Sequence, residues 1–496
     1  MTGLASNFQY GFAKRAGLVV LSDADEAVVC IREDADPLAL VEARRVLGRA
    51  LSVRTLSRGE FERRLSEVYA GEGLSSASGA SALAMSEGLD HLLDEIPAAA
   101  DLLETEDDAP IIRLINGLIA EAVRVGASDI HVEPFEQVLT VRLRIDGVLR
   151  EAVKLPVRLA SLIVSRIKVM ARLDIAEKRV PQDGRISLTL GGKTLDVRVS
   201  TLPSRGGERV VMRILDKEQA GHALNELGMP AATEAAFEAA LHKPNGIVLV
   251  TGPTGSGKTT TLYAGLALLN DGSCNILTIE DPVEYAVDGV GQTQVNTKVG
   301  MSFAAGLRAI LRQDPDVVMV GEIRDVETAQ IAVQASLTGH LVLSTVHTND
   351  AVGAITRLRD MGIEPFLLAS TLRLIIAQRL VRRLCQHCRK PEIADGATAK
   401  RIGVPAGTRI YRALGCAQCS NSGYVGRVGL YEAVRIDDAI RRLIGESAAE
   451  EEIARVAFAT RLPLSAAARA AVLDGLTTVE EAIRVSRQDV SEHGDV

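Results

Sequence analysis

Residues 246–262 read GIVLVTGPTGSGKTTTL, a strand-like apolar run followed by a glycine-rich loop and the start of a helix. The loop, residues 252–259, fits the pattern G-x-x-x-x-G-K-[ST] in the strand–loop–helix context that the pattern requires. Glycines let backbone N–H groups turn inward around phosphate oxygens, and the following helix points its positive end at the same anion. Lys258 can reach the β- and γ-phosphates, and Thr259 can bind Mg²⁺. The stretch predicts a nucleoside triphosphate site formed by Gly252, Pro253, Thr254, Gly255, Ser256, Gly257, Lys258, Thr259 and Thr260.

The composition predicts a large soluble enzyme. A length of 496 residues suggests about three or four domains. The net charge of −8, the 3% aromatic content and the lack of Trp argue against a nucleic-acid partner. We find no apolar run of roughly 20 residues that could span a membrane, and residues 1–20 lack the pattern of a signal peptide.

The front of the chain divides into a folded module and a linker. Residues 1–72 alternate strand-like runs at 18–21 and 28–31 with amphipathic helical patterns at 37–47 and 59–69, which predicts a small α+β module for docking a partner. Residues 73–108 are rich in Gly, Ser and Ala and then in acids, and no Lys or Arg occurs between Arg64 and Arg113. This composition is typical of a flexible, solvated linker.

Two further domains follow the linker. Residues 109–220 begin with a helical apolar pattern and continue with hairpin patterns around Asp146-Gly147 and Gly191-Gly192, so we expect a second α+β domain with many arginines on its polar strand faces. Residues 221–380 alternate strands and helices, as an α/β nucleotide domain requires. The final stretch, residues 431–496, has helical patterns with Ala-rich faces.

Acids and histidines border the strands that follow the phosphate loop. The strand-like run 275–279 is followed by Glu280 and Glu284, and residues 317–320 are followed by Glu322. His340 and His347 flank the run 341–346. We expect these groups to converge at the carboxyl edge of a parallel sheet, where one acid would complete a Mg²⁺ shell and another would orient water.

Two CxxC pairs, 385–388 and 416–419, are separated by 27 residues. Each pair offers two thiolates from one tight turn, so a tetrahedral and therefore structural zinc site at Cys385, Cys388, Cys416 and Cys419 is the first interpretation. Two redox disulfides are the alternative, although they are unusual in a reducing compartment. His387 could replace a thiolate, but its place inside a pair favours solvent. We assign residues 381–430 to this subdomain.

Several segments together resemble the secretion ATPases of the GspE/PilB family. They are GASDIHVEPFE, RIDGVL, VPQDGRISL, STLPSRGGERVVMRILDK, GPTGSGKTTTLYAGL, TIEDPVEY, LRAILRQDPDVVMVGEIRD, TGHLVLSTVHTND and AQRLVRRLCQHC. The resemblance extends over residues 109–488, and the short front end is more similar to the type II secretion branch than to the pilus assembly branch. It implies a RecA-like motor domain, a zinc subdomain, and ATP, Mg²⁺ and Zn²⁺ as cofactors.

The resemblance also implies residue roles. Glu284, with Glu280 second, would position water; Glu322 would be the Walker B acid and a Mg²⁺ ligand with Thr259. His340 and His347 would sense the γ-phosphate. Arginines would close on the nucleotide from the second domain (Arg198 and Arg213) and from the motor domain (Arg308, Arg312, Arg324 and Arg357). A surface ion pair is the alternative for each of these arginines.

For the assembly, the resemblance implies a homohexamer in the cytoplasm at the bacterial inner membrane. The first module would dock on platform proteins, namely the cytoplasmic domain of an L-type subunit and a polytopic F-type subunit, and hydrolysis would drive assembly of a pilus-like piston. A pilus assembly motor and a nucleotide-gated binding protein with incidental turnover remain as alternatives. A ring helicase is disfavoured by charge and aromatic content.

Overall fold

A computed structural model of the chain describes residues 13, 16–23, 27–35, 38–48, 50–57, 60–61, 109–190, 193–216 and 223–486. The chain forms two compact units, Met1–Lys217 and Glu218–Val496. The predicted linker at 73–108 and most of the predicted helix at 59–69 lie outside the described residues. No helix within the described ranges is both long and apolar enough to cross a bilayer.

The first unit opens with a small α/β layer. Its elements are β1 (Leu18–Asp23), β2 (Ala27–Arg32), α1 (Leu38–Leu47) and β3 (Leu51–Leu56). β1 pairs antiparallel with β2, and β2 pairs parallel with β3, so α1 is the crossover between parallel strands. Ala39, Ala43 and Leu47, four residues apart, pack on the sheet. The sequence analysis predicted β1, β2 and α1 and missed β3.

A six-stranded antiparallel sheet follows in the same unit. Its elements are α2 (Ala109–Arg124), β4 (Ala127–Pro134), β5 (Val138–Ile145), β6 (Val148–Pro156), α3 (Ala160–Met170), β7 (Gln182–Leu190), β8 (Lys193–Ser204) and β9 (Gly207–Asp216). The strand order is β6-β5-β4-β9-β8-β7. One face is covered by α2 and α3 through residues such as Ile115, Ile119 and Ile167. Along each strand, the residues that alternate with the apolar ones point to the opposite face of the sheet, which is rich in charged side chains, as predicted.

The second unit is built on a seven-stranded sheet. Its strands are β10 (Gly246–Thr251), β11 (Ile276–Glu280), β12 (Gly291–Gln294), β13 (Val317–Val320), β14 (Leu341–Val346), β15 (Leu372–Leu384) and β18 (Tyr424–Arg435), with the order β12-β11-β13-β14-β10-β15-β18. The pairs from β12 to β15 are parallel and β18 joins antiparallel. The predicted α/β class is therefore confirmed.

Helices cover both faces of this sheet. They are α4 (Ala231–Leu241), α5 (Lys258–Leu269), α6 (Phe303–Ile310), α7 (Val326–Leu337), α8 (Ala351–Asp360), α9 (Pro365–Thr371), α10 (Gly396–Ile402), α11 (Asp438–Gly445), α12 (Glu450–Ala457), α13 (Leu464–Leu473) and α14 (Val479–Ser486). Along β10, Val248 and Val250 pack toward α4 and α5, whereas Ile247 and Leu249 pack on the face covered by α6 to α9. β10 and β14 are buried throughout, as parallel strands covered on both faces are.

The four-cysteine segment is an insertion between two strands of this sheet. β15 runs through the predicted boundary at 380/381, and β18 runs through the one at 430/431. Between them, β16 (Lys390–Ile393) and β17 (Arg409–Arg412) form a hairpin. α13 and α14 pack against this region in one apolar cluster. The sequence indicated separate segments because the strand pair is split by almost 40 residues of polar, cysteine-bearing chain.

Candidate nucleotide site and cysteine cluster

The phosphate loop joins β10 to α5 at the carboxyl edge of the parallel sheet. Gly257 has a left-handed backbone, with φ of 89°. A Cβ on Gly252 would lie 2.4 Å from the carbonyl oxygen of Gln378 and 2.6 Å from Ser256 Oγ, so only glycine fits there. α5 begins at Lys258. Its first backbone N–H groups, which have no partner within the helix, therefore lie at the end of the loop, where they can bind an anion.

Lys258 is folded onto its own loop. Its side chain is buried, and Nζ donates to the carbonyl oxygens of Gly252 at 2.7 Å and Pro253 at 3.1 Å. Burial lowers the pKa of Lys258 to about 8; Arg379 also lowers it and Glu322 opposes the shift. A phosphate anion in the loop would offer Lys258 Nζ charged oxygen acceptors in place of these two uncharged carbonyl oxygens.

Glu322 and His347 meet at the same edge. β13 neighbours β14 and β14 neighbours β10, so the residues after these strands lie beside the phosphate loop. The Glu322 carboxylate is 3.2 Å from His347 Nε2 and 2.6 Å from the Arg324 guanidinium. Burial, and then the charge of Lys258, lower the pKa of His347, against the opposing effect of Glu322. The structure thus brings together a lysine, an acid and a neutral histidine that the sequence placed at three separate strand ends.

The loop after His347 is held by hydrogen bonds to β10 and to β15. The N–H of Thr348 donates to Thr251 Oγ1 at 3.0 Å, and the two hydroxyl oxygens lie 2.6 Å apart. Arg379 on β15 donates to the carbonyl oxygen of Asn349 at 2.9 Å. The sequence analysis missed Thr251, Thr348 and Arg379. Thr251 and Thr348 flank recognised motifs but are 97 residues apart, and Arg379 is 30 residues from Asn349, so only the folded sheet brings these partners together.

The four motor-domain arginines separate into two groups. A cavity of about 250 Å³ is lined by Ile323, Arg324, His347 and Arg357. Arg324 and Arg357 therefore lie beside the site. Arg308 instead pairs with Glu327 at 2.5 Å between two exposed side chains, and Arg312 donates to the carbonyl oxygen of Arg308. Arg308 thus has the surface ion pair that was the alternative, whereas Arg312 has a backbone contact instead.

Glu280, the last residue of β11, is a buried acceptor. One carboxylate oxygen accepts from the Tyr263 hydroxyl, and the other accepts from Thr278 Oγ1 at 2.6 Å and from Gln292 Nε2 at 3.2 Å. With 2% of its surface exposed, Glu280 is occupied by protein donors and does not offer its carboxylate to water. Glu284 lies in the loop after β11 and is half-buried. Glu284 is therefore the more accessible of the two acids.

The expectation that both histidines converge on the phosphate loop is wrong for His340. This residue precedes β14, and its carbonyl oxygen accepts from the N–H of Gly246 at the start of β10. In a parallel sheet the start of a strand lies at the amino edge. The six residues of β14 therefore separate His340 from the phosphate loop by about 20 Å. Its Nδ1 lies 2.9 Å from the carbonyl oxygen of Ala335, which gives it a local structural contact.

Arg198 and Arg213 belong to the first unit. They are directly opposite each other on β8 and β9, on the charged face of the six-stranded sheet. Arg213 Nε donates to the carboxylate of Asp129 at 2.8 Å, and the Arg213 side chain is 56% exposed while that of Asp129 is 5% exposed. Buried Glu133 pairs in the same way with Arg142 and with a further arginine of this face. Buried carboxylates therefore hold Arg213 and the arginines paired with Glu133, a feature that sequence reasoning missed.

The four cysteines of the two CxxC pairs form one cluster. All four sulfur atoms lie within 4.8 Å of one another, and the Sγ distances are 3.9 Å for Cys385–Cys416, 3.8 Å for Cys388–Cys419 and 3.7 Å for Cys416–Cys419. None of these cysteines forms a disulfide. Four sulfurs around a zinc ion at Zn–S bonds of about 2.3 Å would be about 3.8 Å apart. The four thiols thus fit a tetrahedral zinc ion better than the disulfide alternative.

Backbone donors support a thiolate in this cluster. The N–H groups of Cys416 and Gly423 lie 3.1 and 3.2 Å from Cys419 Sγ. Burial alone raises the pKa of this thiol, but these donors reverse the effect and lower it to about 6. His387 is exposed and is not among the clustered ligands, which agrees with its expected place in solvent.

Comparisons with known proteins agree with this geometry. The family described as "Type II/IV secretion system protein" matches residues 104–484, and a second family, an N-terminal domain of "GSPII protein E", matches residues 8–69. "Type II secretion system protein E" of Pseudomonas aeruginosa is 55% identical, over 97% of this chain and 96% of its own length. "Type II secretion system ATPase E" of Vibrio cholerae is 53% identical, over 97% and 96%.

Solved structures of related proteins share the fold. The pilus retraction motor PilT with bound ADP is 28% identical and has a TM-score of 0.51, over 75% of this chain and 97% of its own. The Legionella pneumophila ATPase DotB, at 20% identity, has a TM-score of 0.57, over 76% and 95%. With a family match over most of the chain and relatives above 50% identity, the chain belongs to the type II secretion system protein E family.

Proposed function

We propose that the chain is the ATPase that energises type II protein secretion by driving assembly of a pilus-like piston. The observation that carries the proposal is the meeting of Lys258, Glu322 and His347 beside a phosphate loop at one edge of the sheet. The names of relatives at 50–55% identity support the secretion role, and the match of residues 8–69 supports the type II branch over pilus assembly.

Hydrolysis uses the groups at this edge. Lys258 leaves the loop carbonyl oxygens and pairs with the β- and γ-phosphates. Glu284 positions the attacking water, and neutral His347 hydrogen-bonds the γ-phosphate region while Glu322 holds its ring. The exposed guanidinium of Arg324, next to Glu322, and that of Arg357 add positive charge where phosphoryl transfer develops negative charge.

Mg²⁺ is the expected metal of the nucleotide site. Thr259 is exposed at the start of α5, and Glu322 supplies a carboxylate at the adjacent strand end. A hydroxyl and a carboxylate are the oxygen ligands that this hard cation prefers. When bound, the ion would neutralise phosphate charge.

Zinc is the expected metal of the cysteine cluster. The tetrahedral sulfur spacing and the N–H donors to Cys419 support this assignment. With four thiolates every position would be filled, so the ion would be structural and would hold the insertion between β15 and β18.

The functional form is a homohexameric ring at the cytoplasmic side of the inner membrane. Arg198 and Arg213 of the second domain close on the nucleotide, and the module formed by residues 1–72 docks on the L-type and F-type platform proteins. The Arg213 guanidinium supports the first part, since it is paired with buried Asp129 while its side chain remains 56% exposed. The family's work with secretion machinery supports the second.

Phosphate release by the purified full-length chain with Mg-ATP tests the proposal. Lys258→Ala should abolish release, and Lys298→Ala, at an exposed position of the same unit, should not. Steady release over many turnovers is expected. A single phosphate per chain would support the nucleotide-gated alternative, and wild-type turnover in Lys258→Ala would contradict the site.

A further inference from the structure

One side-chain amide holds the loop that carries Glu284. Residues 281–290 connect β11 to β12, and Gln292 lies on β12. Its Oε1 accepts from the N–H of Val287 at 2.8 Å, and its Nε2 lies 3.0 Å from the carbonyl oxygen of Tyr285. One backbone donor and one backbone acceptor fix the orientation of the amide, since turning it over would bring like groups together. Gln292 thus holds the loop by hydrogen bonds to Tyr285 and Val287, one and three residues after Glu284.

The same amide reaches the helix that follows the phosphate loop. Gln292 Nε2 is 3.2 Å from the hydroxyl oxygen of Tyr263 on α5 and 3.2 Å from the carboxylate of Glu280. The Tyr263 hydroxyl donates to Glu280, and a backbone hydrogen bond joins it to Glu284. Burial and the charge of Glu280 raise the pKa of Tyr263, so its hydroxyl remains a donor. The loop is therefore tied to the helix that begins at Lys258.

Burial makes this connection stiff. Tyr263 is 3% and Glu280 is 2% exposed, and Gln292 is half-buried. The rings of Tyr263 and Tyr285 pack edge to face with their centroids 4.6 Å apart. Hydrogen bonds shielded from water are costly to leave unmade, so the network permits one arrangement of the loop relative to α5.

We propose that Gln292 is a positioning residue for hydrolysis, which acts through the loop backbone and Tyr263 to aim Glu284 at the site prepared by α5. The inference rests on the proposed function, because it takes Glu284 as the acid that positions water. It also explains why Glu280 is buried: that carboxylate is the fixed end of the network. A displacement of about 1 Å at a catalytic group can cost about 100-fold in rate, so removing the hydrogen bonds of Gln292 should lower kcat measurably.

The first test compares Gln292→Leu with Gln294→Leu. Leu removes the amide at similar size, and Gln294 is an exposed residue two positions further along β12. In the full-length chain, Gln292→Leu should lower kcat at least about tenfold while the affinity for Mg-ADP changes less than about twofold, because the contact acts on the transition state. Gln294→Leu should match the wild type. Wild-type kcat in Gln292→Leu would overturn the proposal.

A double-mutant cycle then separates positioning from general support of the fold. If Gln292 acts through Glu284, adding Gln292→Leu to Glu284→Gln should slow single-turnover hydrolysis by less than about twofold more. Effects that multiply would overturn the inference, because Gln292 would then act independently of Glu284. Wild-type turnover in Glu284→Gln alone would instead overturn the role of Glu284 in the proposed function.

Tyr263→Phe provides a second variant should Gln292→Leu fail to fold. It removes the hydroxyl that contacts Gln292 and Glu280 and keeps the ring packed on Tyr285. We expect the same pattern of lower kcat, unchanged Mg-ADP affinity and little further loss in the Glu284→Gln background. Unchanged kcat in Tyr263→Phe would contradict the connection to α5.

Discussion

Nucleotide binding should take up a proton at Lys258 above pH 8. In the free protein burial lowers the pKa of this lysine to about 8, from an ordinary value of 10.5. A phosphate anion favours the charged ammonium, so binding raises the pKa again. A group whose pKa rises on binding takes up protons at pH values where its free form is already deprotonated. For Lys258 that range begins near pH 8.

The size of the effect follows from these two values. If the bound lysine returns to 10.5, uptake is about 0.1 proton at pH 7, about 0.5 at pH 8 and about 0.9 at pH 9, and affinity falls about tenfold from pH 7 to pH 9. Burial also lowers the pKa of His347 in the free protein, so any uptake that remains in Lys258→Arg is assigned to groups other than Lys258, this imidazole included.

Calorimetry of Mg-ADP binding measures the uptake directly. Titrations at pH 7, 8 and 9 in two buffers with different ionisation enthalpies give the number of protons taken up per nucleotide. Lys258→Arg keeps its charge at all three pH values and should remove the uptake. Lys298→Arg, at an exposed lysine of the same unit, should retain it. No uptake by the wild type at pH 9, or equal uptake in Lys258→Arg, would refute the reasoning.

Two further predictions concern the cysteine cluster and the arginine face. The chain should contain one zinc ion, and replacing Cys385 and Cys416 by Ser should release it while Mg-ADP still binds. Elemental analysis after gel filtration measures the zinc content, and zinc retained by the double variant would contradict the assignment to these cysteines. Arg198→Ala and Arg213→Ala should lower turnover about 10³-fold with nearly unchanged Mg-ADP affinity, since ADP lacks the γ-phosphate. Arg179→Ala, at an 87% exposed side chain of the same unit, is the control. Full turnover in both test variants would instead support the surface ion pairs given as the alternative for these arginines.

The parts of the site that could be predicted are those encoded by local sequence. The phosphate loop is contiguous, and its glycines are required by the backbone at Gly252 and Gly257. Glu322 could be predicted as a site residue because it closely follows residues 317–320, a short apolar run of the kind that forms a buried strand. The position of His340 could also have been predicted correctly, since a residue that precedes a parallel strand lies at the amino edge of the sheet.

The parts that could not be predicted depend on pairs distant in sequence. Glu280 and Glu284 are equally acidic and four residues apart, and only the contacts of Tyr263 and Gln292 separate a buried anchor from a half-buried acid. Strand alternation likewise places Arg213 on the polar face of β9, but it does not reveal the hydrogen bond to Asp129, which is 84 residues away in the chain. Sequence patterns give the face of a strand but not the neighbour across it.

β15 connects features that the sequence presented as separate domains. Its residue Gln378 accepts from Thr261 on α5 at 2.7 Å, and the next residue, Arg379, fixes the loop after His347. Six residues further along the chain is Cys385, which in an extended strand is about 20 Å from Arg379. β15 pairs with β10 from Leu372 to Ala377 and with β18 from Leu374 to Leu384, with a register shift between Arg382 and Leu384. One strand, β15, therefore carries the residues that contact α5 and the loop after His347 and also leads into the four-cysteine cluster.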